Sequence, residues 1–270
     1  MAVPTTRPIP TSFAPAQNDA EGPYVRVIGK AVAALDAFLE GDGELTLTEL
    51  ARRLAMSRST VHRLLATLER HQLVDRAESG AYRLGIHLFR LGSAVEVRAV
   101  LGRVAELPLT RLAERFAVSA YLSVRDADRA LCLVRIDRGP IMATTYQVGE
   151  TLPLHLGAGP LVLLSAMPQS EVERVLRQAR QRMTPRTTTD AAGIRTRLAE
   201  IRSSGVAYAP DDVQVGLAAM GVPVHDPSGG AIAAVSVVAL TPWFTKEHSQ
   251  AMSSALLVAA GEIEGQLSPR

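Results

Sequence analysis

Four arginines, Arg52, Arg53, Arg58 and Arg63, follow one another between Glu49 and Glu69 with no carboxylate among them. A solvated helix face mixes charge signs, whereas a run of one sign suits contact with phosphates. Ser57, Arg58, Ser59, His62 and Arg63 bring hydroxyl, imidazole and guanidinium groups, which bond base edges as well as the backbone of DNA. A second stretch, Gly157-Ala158-Gly159-Pro160, offers a different chemistry. Pro160 suits the first position of a helix, and the small residues before it leave N–H groups open that can hold a carboxylate without lysine or arginine. The same four residues also fit a plain tight turn into a buried helix, and taken alone they favour that reading.

No set of residues has the spacing of a catalytic centre. The six histidines, His62, His71, His87, His155, His225 and His248, form neither H-x-x-x-H nor H-E-x-x-H, so no zinc site is expected. No G-x-S-x-G elbow presents a serine, and LHLGAGPLVLLSA matches neither a phosphate loop nor a dinucleotide fingerprint. Asp211 and Asp212 are adjacent, which in an extended segment points them apart; a solvated loop explains them as well. Cys132 is the single cysteine. It excludes an intrachain disulfide and a cysteine-based zinc site, and inside LCLV it reads as a small buried hydrophobe. Neither an enzyme nor a cofactor or metal is expected.

The arginine run needs a scaffold, and residues 46–70, TLTELARRLAMSRSTVHRLLATLER, supply one. Leu47, Leu50, Ala51 and Leu54 repeat at i, i+3, i+4 and i+7 behind a Thr46/Glu49 capping box. After a turn at Ala55-Met56-Ser57, Val61, Leu64, Leu65 and Leu68 repeat that spacing, with Ser57 as N-cap. Ser59, His62, Arg63, Ala66 and Arg70 face the other way. Two such helices also occur in any helical bundle, but the unbalanced arginines favour a helix-turn-helix whose second helix enters the major groove. A helix over 29–40 precedes the pair. Two short strands, 73–76 and 81–84, follow around Gly80 as a hairpin. So placed, the hairpin is a wing, with Arg76 and Arg83 within reach of phosphates or the minor groove.

Residues 85–100 are apolar on more than one side through Ile86, Leu88, Phe89, Leu91, Val95 and Val97, which suits a linker helix packed on several elements or on a second subunit. A helix over 101–116 comes next, interrupted near Pro108. Strands are expected at 119–124, at 130–136 and around 141–146, then helices at 159–166, 170–182 and 190–204. Strands return at 205–209, 217–226 and 231–240, the last two joined by a turn at 227–230, and a helix over 245–266 closes the chain. Strands near both ends with helices between them give an antiparallel sheet with helices on its faces.

A chain of 270 residues fits one small and one larger domain, and 47% hydrophobic content is ample for two cores. Nothing approaches the roughly 18 uninterrupted apolar residues of a membrane span. The first 23 residues are rich in Pro, Ala and Thr and lack a continuous apolar h-region. They read as a disordered tail in a cytoplasmic protein, not as a secretory signal. A net charge of +2 is too small to argue for nucleic acid, so the distribution of charge carries that argument. Lys30 and Lys246 are the only lysines; arginine favours bidentate contacts to phosphate and guanine, and genome composition accounts for the bias equally well.

From about Tyr24 to the C-terminus the sequence closely resembles IclR-type bacterial transcriptional regulators. The likeness rests on LTELARRLAMSRSTVHRLLATLERHQLV, on the wing and its exit GAYRLGIHLFRLG, on LPLHLGAGPLVLL, and on GVPVHDPSGGAIAAVSV. In the third stretch the family often shows Gly-Lys where this chain has Pro160-Leu161, so any role of that lysine is absent. The resemblance implies an α+β protein in four parts. They are the tail over 1–23, a winged helix-turn-helix over 24–84, a linker helix over 85–100, and a GAF-like antiparallel-sheet effector-binding domain over 101–270.

It also implies a homodimer or dimer of dimers on double-stranded operator DNA, repressing or activating under a small organic-acid or aromatic effector. The rival is a small-molecule sensor or enzyme whose helical N-terminal domain mediates protein contacts. The DNA-binding set is Ser57, Arg58, Ser59, His62, Arg63, Arg70, Arg76 and Arg83. The effector set carried over from the family is Leu152, Ala158, Gly159, Asp212, Ala219, Ser236 and Val238. The resemblance turns the glycine-rich stretch from a turn into an anion site. Asp211 remains a rival to Asp212, and Ser236 is either a pocket hydroxyl or a sheet serine bonded to nearby backbone.

Overall fold

A computed structural model describes residues 25–39, 43–93, 96–139 and 146–267. Its contacts divide the chain into two compact units, Met1–Glu96 and Val97–Arg270. The expected tail over 1–23 lies outside the described residues, as do Val95 and, apart from Tyr146, the strand expected around 141–146.

In the first unit, α1 (Arg26–Asp36) is prolonged by a 3-10 turn at Ala37–Leu39 and followed by α2 (Leu47–Arg53) and α3 (Arg58–Arg70). Ala34, Phe38, Leu50, Val61, Leu65, Leu68 and Val74 meet in one buried cluster, so the apolar spacing read from 46–70 is the spacing that builds the core. The strands β1 (Glu44–Leu45), β2 (Val74–Arg76) and β3 (Tyr82–Leu84) form an antiparallel sheet in the order β1-β3-β2. The sequence reading has the hairpin but not β1, because two residues carry no period. α1 starts three residues before the expected helix and gives way to the 3-10 turn before its expected end. α4 (Ile86–Ser93) follows the wing.

Within the expected linker helix over 85–100, residues 86–93 and 96–100 are helical, and residues 94 and 95 lie outside the described residues. α5 (Glu96–Phe116) continues past Pro108, where a break was expected. A proline inside a helix costs about 3 kcal/mol or more. Leu101, Ala105, Leu109 and Leu112 form one buried stripe on α5, and burial of each leucine contributes about 1.5–3 kcal/mol. Packing therefore outweighs the proline.

The second unit is built on a six-stranded antiparallel sheet of β4 (Ser119–Asp126), β5 (Arg129–Asp137), β6 (Thr151–Pro153), β7 (Ala207–Pro210), β8 (Leu217–His225) and β9 (Ala231–Leu240). The order is β6-β5-β4-β9-β8-β7. Side chains alternate across a strand. Ala120, Leu122, Val124, Val222, Val235 and Val237 pack on one side with α5 and α9 (Lys246–Leu267). α6 (Ala158–Ser165), α7 (Gln169–Leu176) and α8 (Ala191–Ser204) share a second core with Ala130, Ala207, Ala209 and Ala234. α7 stops at Leu176, six residues before its expected end, and Arg180 beyond it donates to the Leu176 carbonyl. β6, three residues long, was not expected.

Candidate nucleic-acid interface and ligand cavity

The first site begins at the turn between α2 and α3. Thr46 Oγ1 accepts from Glu49 N–H at 3.3 Å while Glu49 Oε2 accepts from Thr46 N–H at 2.8 Å, which satisfies two open donors of α2. Ala55 takes a left-handed φ of 49°, and Met56 N–H returns to the Ala51 carbonyl at 3.0 Å, closing the helix. Ser57 then caps α3, its Oγ accepting from Thr60 N–H at 3.2 Å and lying 2.8 Å from Thr60 Oγ1 and 3.1 Å from Ser59 Oγ. Ser57 is thus occupied in holding the tip of α3. Val61, Leu65 and Leu68 are buried, while Arg58, Ser59, His62, Arg63 and Arg70 are exposed.

On the wing, the exposed Arg76 guanidinium sits 5.6 Å from the centre of the Tyr82 ring, within the range of a cation–π contact. Arg83 lies on the central strand β3, paired in register with Glu44 on one side and Asp75 on the other. Two carboxylates beside it lower the local potential, so Arg83 offers less to a phosphate than Arg76 does. Among the described residues, none of Arg58, Arg63, Arg70, Arg76 and Arg83 is held in an ion pair.

The second site is a cavity of about 60 Å³ against the inner end of α6. Leu152, Ala158, Gly159, Asp212, Ala219, Ser236 and Val238 all line it, together with Tyr121, Tyr146, Val213, Gln214 and Leu217. They come from β4, the segment before β6, β6 itself, β8, β9, the start of α6 and the loop after β7.

α6 starts at Ala158 behind Gly157, whose φ of 79° needs glycine. Pro160 is therefore its third residue and not its first. Leu161 N–H reaches the Gly157 carbonyl at 3.3 Å, and proline has no N–H, so the donors open at this helix start are those of Ala158 and Gly159. The helix sits hard on the sheet. A β-carbon on Gly159 would lie 3.0 Å from Ser236 Oγ, and one on Gly221 3.1 Å from Ser236 Cβ. Ser236 is buried, yet its hydroxyl bonds no described residue, which sets aside the reading of a sheet serine bonded to backbone.

Asp212, and not Asp211, reaches the cavity. Its carboxylate is held by Arg197 Nη1 at 2.9 and 3.2 Å. Asp211, at a φ of 55°, turns to Gly216 N–H at 2.6 Å and Arg186 Nη1 at 2.8 Å, and these bonds, Gly216 foremost, hold its carboxyl below the usual range. Thr184 and Thr187 donate to the carbonyls of Asp211 and Asp212 at 2.6 and 2.7 Å, tying the loop to the segment before α8. No lysine or arginine lines the cavity.

Two of the cavity residues that the sequence reading missed are aromatic. Tyr121 and Tyr146 stack at 5.9 Å and 25°, and the Tyr146 hydroxyl is fixed by Ser123 Oγ at 2.9 Å and the Ala130 carbonyl at 3.2 Å. Burial pushes the Tyr121 hydroxyl and the neighbouring Cys132 thiol each up to about 12, and raises Tyr146 further. All three stay neutral at pH 7. Tyr121 had a legible signal, since Ser119, Tyr121 and Ser123 make one face of β4 polar while the other is Ala120, Leu122 and Val124. Tyr146 had none. Among the described residues, no group of histidine, cysteine and carboxylate side chains could hold a metal ion, and no helix is long and apolar enough to cross a membrane.

Residues 27–78 match the model of the IclR helix-turn-helix domain, and residues 94–264 that of the bacterial transcriptional regulator IclR C-terminal domain. The chain is 33% identical over 249 residues to the HTH-type transcriptional regulator BhcR of Paracoccus denitrificans, covering 91% of this chain and 88% of that one. It is 30% identical over 257 residues to KdgR of Escherichia coli, covering 94% and 97%. Among solved structures, an IclR homologue from Microbacterium hydrocarbonoxydans complexed with 4-hydroxybenzoate aligns with a TM-score of 0.82 at 26% identity, covering 89% of this chain and 98% of that one.

Proposed function

This chain belongs to the IclR family of DNA-binding transcriptional regulators, and we propose that a compact organic acid in the cavity at the start of α6 sets how tightly it holds its operator. The observation that carries the proposal is the convergence of seven residues from separate elements on one cavity that the open N–H groups of Ala158 and Gly159 and the unbonded Ser236 hydroxyl adjoin. The N–H groups of Ala158 and Gly159 would take the carboxylate, helped by the positive end of the helix dipole. Ser236 would give one more hydrogen bond. Tyr121, Tyr146, Leu152, Ala219 and Val238 would hold an apolar or aromatic body. The Microbacterium relative with 4-hydroxybenzoate bound supports an aromatic acid. A volume of about 60 Å³, against roughly 300–1,000 Å³ for drug-sized ligands, supports a small one.

Within the DNA-binding unit, Arg58, Ser59, His62 and Arg63 would reach base edges and Arg70, Arg76 and Arg83 the backbone, with Ser57 positioning the helix that carries them. The working division is the winged domain over 24–84, a linker over 85–100 and the effector domain over 101–270, in a cytoplasmic protein acting on chromosomal operators. Ile28 and Val32 on α1 and Ile86 and Leu91 on α4 are exposed. A second subunit would cover them, giving the dimer, or dimer of dimers, that a palindromic operator asks for.

Effector affinity and operator affinity are linked, so a true effector binds free and DNA-bound protein with different strengths. The test fills the cavity. Operator affinity of wild type and Ala158→Trp is titrated with 4-hydroxybenzoate and other small aromatic acids. The variant is expected to bind operator and ignore the acid. A folded Ala158→Trp protein responding at the wild-type concentration would place the ligand elsewhere.

A further inference from the structure

The first unit holds a cleft that neither the base-reading helix nor the wing accounts for. It has a volume of about 440 Å³ and lies between α1 and α3. Arg26 and Lys30, one turn apart on α1, face a stripe of Thr60, Arg63 and Thr67 on α3, over a floor that includes Leu64. Residues four apart share a helix face, so the two cations stand side by side along the cleft. No carboxylate lines it. Among the described residues, neither Arg26, Lys30 nor Arg63 is held in an ion pair. Thr60 Oγ1 is spent on Ser57 Oγ at 2.8 Å, and Thr67 Oγ1 on the Arg63 carbonyl at 3.0 Å. What the cleft offers a partner is charge.

We propose that this cleft seats the sugar-phosphate backbone on one lip of the major groove entered by α3, with Arg26 and Lys30 as phosphate contacts and Arg63 at the edge shared by cleft and base-reading face. The proposal rests on α3 being the helix in the groove. A helix in a groove about 12 Å wide is flanked by phosphates, and cations on a neighbouring element are needed beside it to fix its depth and register. Unpaired cations free of carboxylates match that polyanion. They would repel the same cleft of a second copy.

The test uses the full chain, an operator fragment recovered from genomic DNA captured by the protein, and an unrelated duplex of equal length. Affinity for both is measured from about 50 to 200 mM salt, a range over which phosphate binding is strongly screened. Arg26→Gln and Lys30→Gln are each expected to weaken both duplexes alike, by about fivefold at 0.15 M salt, and each to make the salt dependence shallower by about one unit of log–log slope. Arg103→Gln on α5 serves as control and should change neither. An unchanged slope in the Arg26→Gln, Lys30→Gln double variant overturns the proposal, as does a weakening confined to the operator. So does a shift in sedimentation without DNA, which would mean that the cleft holds another copy of the chain. Failure of α3 as the reading helix would show separately, as Arg58→Ala, His62→Ala and Arg63→Ala effects that are each equal on both duplexes.

Discussion

Ser236 Oγ lies so close beneath Gly159 that a β-carbon on the glycine would approach it to 3.0 Å. One atom thus does two things: it marks how near α6 comes to the sheet, and it presents a free hydroxyl to the cavity. Gly159→Ala should gain helix propensity of about 1 kcal/mol but force the serine or the helix to move. The expected result is a lower melting temperature and a weaker acid response, with operator affinity in the absence of acid unchanged. Ser236→Ala should weaken the acid by about 0.5–1.5 kcal/mol, roughly two- to twelvefold, and leave the fold intact. The double variant should recover the melting temperature and not the acid response. If Gly159→Ala melted at or above wild type and responded normally, the close approach would have no functional weight.

His155 gives the region around the cavity a pH dependence. It is buried in the turn before α6, its Nε2 lies 2.9 Å from the Gln181 carbonyl, and burial depresses its pKa. Arg180 and Arg197 lower it further, while that hydrogen bond and Asp212 raise it. The folded protein therefore holds the neutral ring, and the unfolded chain binds a proton first as pH falls. The stability His155 contributes is complete above the ordinary histidine pKa of about 6.5 and is lost as pH drops through the lower folded value. Melting temperature should fall from pH 7 toward about 5.5 in wild type. His155→Gln should melt lower at pH 7 with a flatter profile over that range. Parallel profiles would show that another group causes the acid loss.

The two units differ in how far the sequence alone reveals them. α2 and α3 are legible because each buries one stripe, so Leu50, Val61, Leu65 and Leu68 carry a period that local pattern can find. α6 is buried all round, from Ala158 to Ser165, and a helix without a polar face has no period. Its start was legible only through Gly157-Ala158-Gly159-Pro160, and its meaning only through the family resemblance. Short strands such as β1 and β6 exist by virtue of the partner edge that receives them, which no window of sequence contains. Pro108 shows the same limit from the other side: the local rule predicts a break, and burial against strands distant in the chain overrides it.

Arg63 and Arg70 separate reading from gripping. Both are exposed on α3, but they stand seven residues apart, about 10 Å along the axis. Arg63 is in the half nearest the tip that Ser57 caps. Arg70 is the last residue of the helix. A helix entering the major groove by its N-terminal end brings its first two turns to base edges and its far end to the backbone. Arg63→Ala should therefore cost about 1–3 kcal/mol on the operator and relax preference at one base position, while Arg70→Ala weakens every duplex alike and flattens the salt dependence. Selection of bound sequences from a random pool separates the two outcomes. An Arg63→Ala protein that still recovers the wild-type motif at full sharpness would leave Arg58, Ser59 and His62 as the readers and assign Arg63 to the backbone alone.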